Sequence, residues 1–148
     1  MGRYYHGDIE GKFWFGIQDS RDPVNFGGQE ILVVDDEENG EDAEVIASHF
    51  LFEKKDLQTI QNGLDKCLAI LGSNKEKIDE FFEQRESYSD NELVAHLDLV
   101  DEANDIGPVE AMTLTKAFLM IYARYNLGLK IKACVEETGQ CDFIADWY

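Results

Sequence analysis

The period of the apolar positions changes along the chain, and the change marks where strands give way to helices. Residues 3–17 carry Tyr4, Tyr5, Phe13, Trp14, Phe15 and Ile17 around the segment Gly7-Asp8-Ile9-Glu10-Gly11. Aromatic and branched residues suit strands, and a glycine–aspartate segment suits a turn, so two short strands are predicted there. Residues 18–28, with Pro23 and the pair Gly27-Gly28, read as a loop. EILVV at 30–34 reads as a buried strand, and EVIASHFLF at 44–52 as a second run of strand length.

From Lys54 the spacing becomes helical. Leu57, Ile60, Leu64, Cys67, Leu68 and Leu71 fall on one helical face, and Gly72 stands where a C-terminus is closed. Ser73-Asn74-Lys75-Glu76 reads as a capping box opening a second helix, with Ile78, Phe81 and Phe82 on its apolar side. Ser89-Asp90-Asn91-Glu92 repeats the pattern and opens a third helix, with Leu93, Val94, Leu97 and Val100 as its stripe. Pro108 suits the first turn of a fourth helix, which is apolar nearly all round from Val109 to Tyr122. Leu127, Ile131, Cys134 and Val135 continue its spacing past Gly128, and Thr138-Gly139 ends it. A helix without a polar face belongs at the centre of a fold. The tail alternates Cys141, Phe143, Ala145 and Trp147 against Asp142, Ile144 and Asp146, which predicts a last strand with one buried face.

The expected fold class is therefore α+β. A small antiparallel sheet forms from the N-terminal strands plus the C-terminal strand, and about four helices cover one face of it. The 148 residues suit a single domain, 1–148. The parallel βαβ alternation of nucleotide-binding folds is absent from the pattern.

Charge alters this picture most. Asp and Glu number 31 against 13 Lys and Arg, a formal net charge of −18. Such a field repels nucleic acids and anionic membranes and attracts basic proteins and cations. Direct binding to a phosphate backbone needs clustered Lys and Arg, so no nucleic-acid contact is expected. No apolar run approaches the ~20 residues of a membrane helix. The opening MGRYYHGDIEGKFWF lacks a signal-peptide core, and a cytoplasmic location is expected. Cys67, Cys134 and Cys141, without CxxC spacing, fit buried thiols in a reducing compartment. Loop length alone also allows a Cys134–Cys141 bridge.

The acids are patterned. Glu76, Asp79, Glu80 and Glu83 stand at i, i+3, i+4 and i+7 in the second helix. Asp98, Asp101, Glu102 and Asp105 repeat that spacing, and a third helix running through them would carry a second ridge. No Lys or Arg lies between Asp90 and Glu110 to offset it. The segment Asp35 to Asp42 is expected as an exposed acidic loop that extends the surface. These eight carboxylates are the candidate partner-binding residues, since a regular row of negative groups is also what a phosphate backbone presents. Solvated faces on amphipathic helices would show the same pattern. Trp14 joins the candidates, because FWF at 13–15 cannot face inward together and an exposed Trp is a favoured interface anchor.

Catalytic signatures are missing: no P-loop, no GxGxxG after a strand, no HExxH and no GxSxG. His6, Asp8 and Glu10 alternate and would share one side of a strand, a candidate metal cluster, although Gly7 and Gly11 favour a turn there. His96 has Asp98 beside it and reads as a helix-surface residue, whereas His49 sits inside an apolar run. No catalytic residue, resident metal or cofactor is assigned.

The block RYYHGDIEGKFWFGIQ resembles the opening of small uncharacterised phage and metagenomic-phage proteins that begin YY-x-GDIEGKF-x-F. The tail LGLKIKACVEETGQCDFIADW is similar to their ending in ETG-x-C-x-F. The likeness covers the two ends and brings no functional residues with it. It implies a phage-like origin, where small acidic proteins block host nucleases and defence complexes. The leading expectation is a non-enzymatic acidic inhibitor that mimics nucleic-acid charge in the basic groove of a host protein. An assembly module using the aromatic terminal strands, and a small metal-dependent enzyme, remain as alternatives.

Overall fold

The last strand, which alternates between a buried and an outward face, is the middle strand of a five-stranded antiparallel sheet. The computed structural model describes residues 4–12, 20–34, 44–84 and 89–147. The strands are β1 (Tyr4–Gly7), β2 (Gly11–Lys12), β3 (Gln29–Val34), β4 (Val45–Glu53) and β5 (Gln140–Asp146), in the order β2-β1-β5-β4-β3. Tyr5 lies opposite Ala145 on one side of β5, and Phe50 opposite Phe143 on the other. Cys141, Phe143 and Ala145 are buried against the helices, while Asp142, Ile144 and Asp146 point to the opposite face, as a two-residue period requires.

Four helices follow the predicted punctuation: α1 (Leu57–Leu71), α2 (Asn74–Glu83), α3 (Asp90–Leu97) and α4 (Pro108–Thr138). Gly72 closes α1 through its N–H to the Leu68 carbonyl, and Gly139, in the left-handed region at φ 90°, closes α4. The Ser89 hydroxyl accepts the Glu92 N–H at 3.3 Å and caps α3. Ser73 does not cap α2, because it is itself helical and its side chain makes no cap bond. At 31 residues, α4 runs about 46 Å. Among the described residues no helix is long and apolar enough to cross a membrane.

Two cores share α4. Its C-terminal half packs Leu127, Ile131, Cys134 and Val135 against Ile60 and Leu64 of α1 and the inner sheet residues Tyr5, Phe50, Phe52 and Phe143. Its N-terminal half packs Leu119 and Tyr122 against Leu71, Ile78, Phe81, Leu93 and Leu97.

Three further expectations are corrected. The third helix does not reach Asp105: it stops at Leu97, where Asp98 turns left-handed (φ 50°) and gives its N–H to the Val94 carbonyl. Aspartate tolerates that conformation better than most residues, so a helix ends without a glycine. EILVV lies within β3 but is not buried. Ile31, Leu32 and Val34 are 55%, 48% and 45% exposed, because β3 is an edge strand with β4 as its one neighbour among the described residues. The 18–28 loop holds a short 3-10 helix, Asp22–Phe26, whose Phe26 ring is fully buried.

That ring sets how closely the two long helices pass. A methyl group on Gly63 of α1 would stand 2.7 Å from Phe26, and one on Gly128 of α4 would overlap both the Phe26 ring and Leu64. Alanine is worth about 1 kcal/mol over glycine inside a helix. Overpacking costs about 1–3 kcal/mol. Gly128→Ala is therefore expected to lower stability despite its better propensity, and Phe26→Ala to lower it by about 3–5 kcal/mol, both read from urea unfolding midpoints.

Candidate partner-binding surface

The acids of α2 divide by function. Ile78 and Phe81 face the second core, which leaves Glu76, Glu80 and Glu83 exposed. Asp79, between them, is engaged inside the molecule. Lys75 Nζ stands 2.6 Å from one carboxylate oxygen, and the Tyr122 hydroxyl donates to the other at 2.7 Å. The hydrogen bond to Asp79 also raises the Lys75 ammonium above its usual pKa. Burial, and then the Asp79 carboxylate, push the Tyr122 phenol up to about 12. Asp79 therefore ties α2 to α4 and is only half-buried.

Asp98, Asp101, Glu102 and Asp105 form no helical ridge. They follow α3 on a tight loop in which Asp101 and Ile106 exchange two backbone hydrogen bonds of 2.8 Å around a 3-10 turn, Glu102–Asn104. Asp105 is left-handed at φ 59°, and Gly107-Pro108 then starts α4. Asn104 Nδ2 donates to the Asp101 carboxylate at 2.7 Å. Asp98, Glu102 and Asp105 are exposed and Asp101 is half-buried. Among the described residues, no Lys or Arg forms an ion pair with any of these four, or with Glu76, Glu80 or Glu83. The loop leads into the positive end of the α4 dipole, where negative charge is favourable by about 0.3–1 kcal/mol. That local benefit explains part of its acidity.

The histidines take different places. His96 does not pair with Asp98: its Nε2–H donates to the Lys77 carbonyl at 2.7 Å and its ring lies against Phe81, fastening α3 to α2. His49 pairs with Asp142 on the sheet face away from the helices. The His6, Asp8, Glu10 alternation is broken at Gly7 (φ 143°). Asp8 turns toward β5, where its N–H and carboxylate bond the backbone of Asp142. Among the described residues no group of three or more His, Cys, Asp or Glu side chains is arranged to hold a metal ion. A shallow recess of about 470 Å³ lies between Tyr4, Tyr5, His6, Glu10 and Gly11. Trp14 and the acidic segment 35–42 lie outside the described residues.

Two polar clusters escape sequence reading because their members are far apart in the chain. Arg21 grips Glu30 with two bonds of 3.1 and 2.8 Å, Ser48 donates to the same carboxylate, and Trp147 Nε1 donates to Ser48. The Arg21 hydrogen bond holds the Glu30 carboxyl below its usual pKa. Asp22, 5% exposed, pairs with Arg124 of α4 at 3.2 Å. No spacing rule links residues of this separation.

No protein-family model, curated protein or solved structure matches the chain.

The raised Tyr122 pKa has a measurable consequence. A phenol that holds its proton more tightly when folded contributes stability that is complete below the unfolded value near 10 and is lost as pH rises toward 12. Two units correspond to an upper limit of about 3 kcal/mol, reduced by solvent screening. Urea unfolding between pH 9 and 12 is expected to show this loss, and Tyr122→Phe to show a shallower decline from a lower starting stability.

Proposed function

We propose that this is a non-enzymatic binding protein whose acidic helical end docks on a basic protein surface. The kind of surface that fits is the groove of a nucleic-acid-binding or defence protein, and the setting is a host-cell cytoplasm if the chain is phage-encoded. The observation that carries this reading is that six exposed carboxylates, Glu76, Glu80, Glu83, Asp98, Glu102 and Asp105, have no ion pair among the described residues. They stand on α2 and on the loop after α3, both anchored through the second core rather than on free tails.

Solubility does not require this arrangement. Like charges three or four residues apart on a helix cost a few tenths of a kcal/mol per pair; Lys77 stands three residues before Glu80 in α2, whereas no Lys or Arg lies between Asp90 and Glu110. The partner acts mainly by charge, since the acids on the α3–α4 loop have no helical repeat to match a phosphate ladder. Exposed charges are screened within ~8–10 Å at physiological salt, so docking weakens as salt rises.

The test uses a partner captured from host lysate at low salt. Affinity is expected to fall at least tenfold between low and high salt. The combined change Asp98→Asn, Glu102→Gln, Asp105→Asn should weaken binding similarly while lowering stability by no more than the lost helix-dipole contact, about 1 kcal/mol, since asparagine also tolerates the left-handed turns. Affinity indifferent to salt and to these substitutions rules the reading out.

A second reading, an assembly module, draws on the exposed Ile31, Leu32 and Val34 of the edge strand β3. Uncovered edges with apolar side chains invite pairing. Light scattering separates the two: an oligomer that persists at high salt and dissociates on Ile31→Lys supports assembly, and a monomer at every salt concentration excludes it.

A further inference from the structure

We propose that Cys134 and Cys141 form a dithiol site that closes to an intramolecular disulfide when the protein meets a small-molecule disulfide. The proposal is independent of the binding role above. Cys134 occupies the last turns of α4, and Cys141 is the second residue of β5. Gly139, left-handed at φ 90°, folds the chain back between them. The Cys134 thiol donates to the Gln140 carbonyl at 3.3 Å, the peptide oxygen immediately before Cys141. The two cysteines thus meet where the helix returns to the central strand, and both are free.

Their surroundings differ in a way that orders the chemistry. Cys141 is fully buried, whereas Cys134 is 9% exposed at the rim of the core. An incoming disulfide therefore reaches Cys134 first. The Cys134 thiolate displaces one thiolate from the reagent and forms a mixed disulfide. Cys141 then attacks the Cys134 sulfur, releasing the second thiolate, which takes up the Cys141 proton. Two protein thiols are oxidised, and the reagent is reduced to two thiols. Burial, and then hydrogen bonding with Cys134, hold the Cys141 thiol well above the usual range, which leaves the first attack to Cys134.

Closure leaves no orphaned backbone group. The Gln140 carbonyl loses the Cys134 donor, but the Thr138 hydroxyl also lies 2.7 Å from it. Cys67 supplies an internal comparison: it is buried on α1, with its thiol raised by burial, and it faces the Asp22–Arg124 pair.

The experiment incubates the native chain with oxidised glutathione and maps tryptic peptides by mass. The segment after Lys132 carries both Cys134 and Cys141. It is expected to lose the mass of two hydrogens while Cys67 stays reduced. Cys141→Ser should instead trap glutathione on Cys134. A short loop closed this way is expected to raise Tm by about 5 °C. Three outcomes overturn the proposal: both thiols remain reduced in the native chain but oxidise in urea, glutathione persists on Cys134 beside a reduced Cys141, or Cys67 oxidises at the same rate.

Discussion

One helix must bury two different sides at once, and the architecture follows from that demand. The N-terminal half of α4 is walled by α2, α3 and the end of α1, and its C-terminal half by α1 and the sheet. A helix this apolar would be exposed over half its length if either wall were missing, at about 25 cal/mol for each Å² left in water. The two cores are therefore coupled through a rigid element. The Phe26 ring adds a local condition, because α1 and α4 accommodate it only where both lack a Cβ.

Charge is distributed by occupation. Asp22, Glu30, Asp79 and Asp142 are committed to Arg124, Arg21, Lys75 and His49. Asp98 and Asp105 serve the backbone by adopting left-handed turns that would otherwise call for glycine. Glu76, Glu80 and Glu83, with the side chains of the α3–α4 loop, project outward without a cation. This last group is rigidly placed and free of internal ion pairs among the described residues.

How much was legible in the sequence depended on the range of the interaction. The helical stripe from Leu57 to Leu71, the span of α4 past Gly128, and the alternation of Cys141, Phe143 and Ala145 are local periodicities, and each appears in the structure. The α3 terminus was misjudged because the acid spacing from Asp98 to Asp105 is compatible with a helix, and nothing local announces that two aspartates turn left-handed. β3 looked buried because a short apolar run reads alike at the centre and the edge of a sheet. Strand order decides between them, and strand order is not periodic. In the candidate surface, the exposure of Glu76, Glu80 and Glu83 follows from the local helical spacing, whereas the engagement of Asp79 by Tyr122 depends on a partner distant in sequence.

The central place of β5 has a kinetic consequence. β1–β2 and β3–β4 each form from neighbouring segments, but among the described residues the two pairs are joined in the sheet through β5, which links residues separated by nearly the whole described chain. Pairings of such high contact order form slowly, because loop-closure entropy is lost before contacts compensate it. During synthesis both hairpins wait with an unpaired side until residues 140–146 emerge from the ribosome. At a formal net charge of −18, copies of the chain repel one another whether or not those strands are yet paired.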